Sequence, residues 1–197
     1  MIAGLILAAG ESRRMGCDKA LLTYRGQPFL ATIIGQLTAA GIKQTTVVLG
    51  HHADAIQHAV DLTGVRVVVN HDYRRGQTSS LQLGLEAIAS DSPEGVILCL
   101  VDHPAVSPAV IVKLLEQFQS THAPVVIPTH QGQRGHPVVI NRTLFPELLA
   151  LPPEAPANTV VRGYCDITEF VEVADPGILL DVDDPETYKR LVEGSRQ

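Results

Sequence analysis

The chain has 197 residues, 45% of them hydrophobic and 18% charged, and a formal net charge of −6. That balance suits one soluble globular domain over 1–197 and excludes a disordered chain or a non-specific nucleic-acid binder, since no basic tail or face offsets the acidic excess. Three scattered cysteines, Cys17, Cys99 and Cys165, fit a reducing, cytoplasmic setting without a zinc site, and no apolar stretch approaches the ~20 residues of a membrane span.

In chain order, residues 2–8 read as a buried strand, apolar without alternation as in a central parallel strand. The run is too short, and lacks the basic flank, for a signal peptide. It leads into Ala9-Gly10-Glu11-Ser12-Arg13-Arg14-Met15-Gly16-Cys17-Asp18-Lys19, a small-residue, glycine-rich, basic loop suited to a polyphosphate. It is neither a Walker A loop nor a G-x-G-x-x-G dinucleotide fingerprint. A solvated surface turn remains the alternative on composition alone.

Pro28 opens a helix that runs to about Ala40, buries Leu30, Ile33, Ile34 and Leu37, and stops at Gly41. Strand 45–49, a helix near 53–61 and strand 65–69 follow. A polar loop over 70–76 precedes a helix over 78–89, then a buried strand over 96–101 ends at Asp102-His103-Pro104. Ser107 is expected to cap a helix with Pro108 in its first turn, reaching about Ser120. Strand 125–128 closes this alternation, which implies a doubly wound, Rossmann-like α/β fold with a mostly parallel sheet and ligand loops at strand C-termini. Beyond Thr129 the rhythm is less regular. It offers a turn at 132–135, strand 137–140, a Pro-rich loop at 152–156, strands 170–173 and 178–182, and a last helix from Asp184-Pro185 to about Leu191.

Asp102, after five apolar residues at a strand end, is placed to hold Mg²⁺, although an Asp that starts a turn or caps a helix has the same spacing. Asp183 is the candidate second ligand, and a helix cap is its alternative. The histidines His51, His52 and His58 form no recognisable metal spacing and read as surface residues.

Leu7-Ala8-Ala9-Gly10-x-Ser12-x-Arg14-Met15-Gly16-x-x-Lys19 resembles the signature of the nucleotidyltransferases that make the nucleotide forms of the molybdenum cofactor. More broadly it resembles the sugar and alcohol phosphate nucleotidyltransferases. Gly76-Gln77-Thr78-Ser79-Ser80-Leu81-Gln82-Leu83-Gly84-Leu85 is similar to the family's G-x-S-S-S-L-x-x-G-L. Asp102-His103-Pro104 stands where the family has Asp-Gln-Pro, Arg134-Gly135-His136-Pro137 reproduces R-G-H-P of the cytidylyltransferase branch, and 181–186 resembles D-I-D-T-P-E. The departures are His103 for Gln, Thr78 for the first Ser, and Asn158-Thr159-Val160-Val161-Arg162 on the acceptor side.

The resemblance implies a nucleotide-diphospho-sugar transferase type of fold and a Mg²⁺-dependent transfer of a nucleoside monophosphate from an NTP to a phosphorylated acceptor, molybdopterin, with release of pyrophosphate. It implies Leu7, Ala8, Ala9, Gly10, Ser12, Arg14, Lys19, Ser79 and Ser80 for the nucleotide, Arg14, Lys19 and Asp102 for catalysis, Asp102 and Asp183 for metal, and Arg134 and His136 for the acceptor. Arg13 falls at a variable position and reads as solvated. Ala8-Ala9-Gly10 is the cytidylyltransferase-like form, so CTP is favoured, GTP with the same pterin or a sugar or alcohol phosphate acceptor being the near alternatives. The product's recipient would be a molybdoenzyme or its chaperone. A silent nucleotide-binding module is the reading from another class, as is an NAD-dependent oxidoreductase, which the missing glycine fingerprint disfavours.

Overall fold

Seven consecutive buried residues form β1 (Ile2–Ala8), because both faces of this strand are covered. Ile2, Ile6 and Ala8 join one apolar cluster, while Ala3, Leu5 and Leu7 join a second cluster on the opposite face. The structure, a computed structural model, describes residues 1–194.

After β1 the chain makes a loop and a small ribbon of β2 (Thr23–Tyr24) and β3 (Gln27–Pro28), then α1 (Phe29–Ala39). Next come β4 (Thr45–Leu49), α2 (Ala53–Ala59), β5 (Arg66–Val69), α3 (Gln77–Ala89) and β6 (Gly95–Leu100). The remainder is α4 (Pro108–Thr121), β7 (Val125–His130), β8 (Gln133–Arg134), β9 (Val138–Asn141), α5 (Phe145–Ala150), α6 (Asn158–Gly163), β10 (Glu169–Glu172) and α7 (Pro185–Gly194). The main sheet runs β10-β7-β9-β6-β1-β4-β5, with β8 paired to β7. β1 pairs in parallel with both β4 and β6, whereas β9 is antiparallel to β6 and β7. This is the expected doubly wound, mostly parallel sheet.

Helices α1, α2 and α4 cover one face through Leu30, Ile33, Leu37, Ile56, Ile111 and Phe118. The other face is covered by α3, α5 and α6 through Leu81, Leu85, Leu148 and Val160. From β1 the chain proceeds to β4 and β5 on one side, then returns through α3 to β6 on the other. The reversal opens a crevice at the C-terminal ends of β1 and β6, the place where such sheets bind ligands.

Two sequence expectations need correction. Residues 178–182 are not a strand: Pro176–Leu179 form a 3₁₀ turn and the next residues run extended outside the sheet. Asp175 explains this, since its Oδ1 accepts the Gly177 N–H (2.8 Å) and winds the chain before it can pair. Ser107 does stand at the start of α4, but its hydroxyl makes no cap; its own N–H donates to Asp175 Oδ2 (2.9 Å). The short helices α5 and α6 are additions. Pro146 in the first turn and Glu147 beside the helix N-terminus were the available signals for α5.

Candidate active site

The loop after β1 folds back on Ser12. Met15 and Gly16 donate backbone N–H groups to Ser12 O (3.0 and 3.1 Å), and the Lys19 N–H donates to Ser12 Oγ (3.2 Å). Ser12 itself takes the left-handed conformation (φ 50°), as does Gly16 (φ 74°), while Gly10 does not. Arg13 is paired rather than simply solvated: its Nε donates to Glu11 Oε2 (2.5 Å), and Arg74 donates to Glu11 Oε1 (2.7 Å). Those two guanidinium groups, Arg13 first, hold the Glu11 carboxyl down to about 2.

Three carboxylates and two cations meet beside the loop. Lys19 Nζ donates to Asp102 Oδ2 (3.1 Å) and to Asp183, and Arg14 donates to the other oxygen of Asp183. Only 11% of the Lys19 side chain is exposed. Burial works against its charge, but the hydrogen bonds and charge of Asp183 and Asp102 raise its pKa on balance. Asp183 is held below the usual carboxylate range, chiefly by the Lys19 hydrogen bond. Asp181 is pushed up to about 6 by burial and by the charges of Asp102 and Asp183.

Asp183 owes its position to Val182, which is fully buried in a cluster with Met15, Tyr24, Phe29 and Leu191 and donates its N–H to Asp102 O (2.9 Å). The helix-cap alternative belongs to its neighbour, because Asp184 Oδ1 accepts the Thr187 N–H (2.8 Å).

The donor set fits a hard divalent cation, since Asp102 and Asp183 offer carboxylate oxygens. A cation already bridges them in the form of the Lys19 ammonium. Asp102 Oδ1, by contrast, is buried with no hydrogen-bond partner, and the ligand atoms of Asp102, His103 and Asp181 lie within 4.8 Å of one another.

The cluster lines one of two adjoining cavities. One, of about 330 Å³, is lined by Leu7, Ala8, Ala9, Gly10, Ser12, Arg14, Lys19, Ser80, Asp102 and Asp183, with Gln77 and Tyr73. The other, of about 490 Å³, shares Leu7, Gln77 and Leu100 with it and is walled by apolar side chains from the sheet, α3, α5 and α6. Gln77, Thr78, Arg134, His136, Glu154, Asn158 and Arg162 supply its polar groups. The Arg134 guanidinium lies 4.5 Å from the centre of the Phe170 ring. Burial, then the neighbouring His103, push His136 down to about 4, so it is a neutral hydrogen-bonding group at pH 7.

Of the sequence candidates, Ser79 is absent from the lining of both cavities; its hydroxyl donates to Gly76 O (2.7 Å). Asn70 was not singled out, yet its side-chain amide donates to Ser79 Oγ (3.0 Å) and Ser80 Oγ (2.9 Å) and fixes the start of α3. Its place at the end of β5 was the signal. His51 and His52 are not merely surface residues. They stack at 3.6 Å between ring centres and meet Asp18, with His52 Nδ1 at 2.9 Å from Asp18 Oδ2.

Residues 4–168 match the family described as the MobA-like NTP transferase domain. The chain is 30% identical, over 97% of its length and 96% of the relative's, to a protein of Paenarthrobacter nicotinovorans named nicotine blue oxidoreductase. A protein of Mycolicibacterium paratuberculosis named "probable molybdenum cofactor guanylyltransferase" is 32% identical over 64% of this chain and 62% of that one. Rv0371c of Mycobacterium tuberculosis H37Rv superposes with a TM-score of 0.86 at 31% identity, over 98% of this chain and 97% of that one. It has also been crystallised as a complex with manganese, which superposes at a TM-score of 0.83 with 30% identity, over 98% of each chain.

Proposed function

The chain belongs to the MobA-like NTP transferase family, and from that premise we propose that it transfers CMP from CTP to the terminal phosphate of molybdopterin. An oxygen of the acceptor phosphate attacks the α-phosphorus of CTP; that P–O bond forms as the bond to the β-phosphate breaks and pyrophosphate leaves. The observation that carries this reading is the pair of adjoining cavities with Arg14, Lys19, Asp102 and Asp183 at one of them.

In this reading the loop from Gly10 to Lys19 holds the triphosphate. Lys19 and Arg14 exchange their contacts with Asp183 for phosphate oxygens and stabilise the charge that develops on pyrophosphate. Asp102 and Asp183 would hold Mg²⁺, which when bound offsets phosphate charge. Ser80 accepts a hydrogen bond from Asn70, leaving its own O–H to donate into the nucleotide cavity. On the acceptor side, Arg134 and Arg162 supply charge and His136 a neutral imidazole.

Ala9 supports the pyrimidine. It lines the nucleotide cavity, takes the His51 N–H on its carbonyl (3.2 Å) and abuts Gly50 so closely that a Cβ there would lie 2.9 Å from its own. The molybdenum cofactor enzyme among the relatives supports the pterin acceptor.

The test is pyrophosphate release over CTP, GTP, ATP and UTP with molybdopterin or a sugar phosphate. CTP with molybdopterin should turn over fastest, Ala9→Gly should narrow the CTP-to-GTP ratio, and Asp102→Asn should cut turnover by about three orders of magnitude while the fold persists. Metal-dependent NTP binding without turnover on any acceptor would make the chain a silent module. Oxidation of NADH or NADPH in the same panel would instead favour the oxidoreductase reading that one relative's name suggests.

A further inference from the structure

The two oxygens of the Asp102 carboxylate have different fates. Oδ2 accepts the Lys19 ammonium hydrogen bond (3.1 Å), whereas Oδ1 is buried with no hydrogen-bond partner among the described residues. Facing Oδ1 is His103, whose side chain is 10% exposed and whose Nε2 lies 3.8 Å away, too far for a hydrogen bond. The other ring nitrogen of His103, Nδ1, is also buried without a partner. Native proteins rarely leave a buried carboxylate oxygen unsatisfied, so Oδ1, with the His103 ring edge facing it, needs a cause. Asp181 completes the group: one ligand atom from each of Asp102, His103 and Asp181 lies within 4.8 Å of the others.

We propose that Asp102 Oδ1, His103 and Asp181 form a cation position of their own, which binds a first-row divalent metal such as Mn²⁺ in the absence of nucleotide. Charge permits it. Asp102, Asp181 and Asp183 carry three negative charges against two positive ones on Lys19 and Arg14 when all are ionised. Chemistry selects the metal, because an imidazole nitrogen beside two carboxylates favours Mn²⁺ and the later first-row ions over Mg²⁺, which prefers oxygen. Location separates it from the nucleotide-linked metal: Lys19 bridges Asp102 Oδ2 and Asp183, while no described cation lies on the Oδ1 side. Asp181 is exposed, so water completes the coordination there. The position deepens the transfer reading by placing a metal on His103, whose ring centre is 5.1 Å from that of His136.

The same molecule offers a rival group in Asp18, His51 and His52, whose ligand atoms also lie within 4.8 Å of one another. Its Asp18–His52 contact (2.9 Å) is already a hydrogen bond, and the His52 side chain is 58% exposed.

The full chain, without nucleotide, is titrated with Mn²⁺ and read by electron paramagnetic resonance of the free ion and by electron spin echo modulation of the bound one. One Mn²⁺ per chain with imidazole nitrogen modulation is expected. His103→Gln should abolish the modulation and weaken Mn²⁺ binding about tenfold or more, while Mg²⁺ affinity changes less than about threefold. Asp181→Asn, at an exposed position that does not threaten folding, should weaken Mn²⁺ while retaining the modulation. Absence of nitrogen modulation in the wild type overturns the proposal. So does modulation that survives His103→Gln but vanishes when His51 and His52 are both replaced by Asn, which would assign the metal to the rival group. None of these readouts uses pyrophosphate release, so failure of the transfer reading leaves them unchanged.

Discussion

His136 and Asp181 pull the pH dependence of stability in opposite directions. His136 has an ordinary pKa of 6.5 and about 4 in the folded chain, because burial disfavours the imidazolium. Between those values the unfolded chain binds a proton that the folded chain does not, so stability falls as pH drops from 6.5 towards 4. Asp181, raised from 3.8 to about 6, is favoured in its protonated form by folding and lowers stability as pH rises through that window. A comparison isolates the histidine. Relative to His136→Gln, the wild type should lose on the order of 2–3 kcal/mol between pH 6.5 and 4, measured by denaturant unfolding. Equal slopes for the two proteins would refute the shifted imidazole. Nothing in the sequence around Arg134-Gly135-His136-Pro137 revealed this neutrality, since it comes from burial against His103 and the sheet.

Among the elements, α3 links core packing to the site. Its N-terminal turn carries Gln77 and Ser80 to the cavity at the β1 loop, and Asn70 just after β5 donates to Ser79 and Ser80. One turn further along, Gly84 lets the helix lie close on the sheet: a Cβ there would meet Leu5 Cδ1 at 2.5 Å and Val48 Cγ2 at 3.0 Å. Gly84→Ala gains helix propensity but overpacks the core, and should destabilise the protein by about 1–2 kcal/mol. A fall in melting temperature of about 2–8 °C is the expected readout, and an unchanged or higher value would show that the layer yields freely. The helix itself was legible from its periodicity. The close approach was not, because Gly84 reads as an ordinary helix glycine until β1 and β4 lie beneath it.

At the scale of the whole molecule, the two cavities draw on different stretches of sequence. The cavity at the β1 loop is built mainly from 7–20 and 73–102, whereas Arg134, His136, Asn158 and Arg162 of the second come from the less regular final third. Under the proposed transfer, the first would take the nucleotide and the second the acceptor. Arg162→Ala should therefore raise the KM for the acceptor about tenfold or more, as expected for loss of a charge-assisted hydrogen bond, and leave the KM for CTP within about twofold. Steady-state pyrophosphate release measures both. Parallel rises in the two constants would mean that the cavities do not bind separate substrates.

The sequence by itself determined most of the buried strands, most of the helices and the family, and it marked the basic glycine-rich loop after β1. These depend on local periodicity and on short motifs, and both survive without a partner in space. The tertiary structure alone decided what the acids face. Asp183 reaches Lys19 and Arg14 because Val182 is locked into a cluster with Met15, and Asp102 shows one oxygen to Lys19 and the other to His103. The pairings of the two acids with Lys19 and Arg14 span 83 to 169 positions of chain. No local pattern carries such information, so only the closed sheet could turn a basic glycine-rich loop into one end of a charged cluster that lines a cavity.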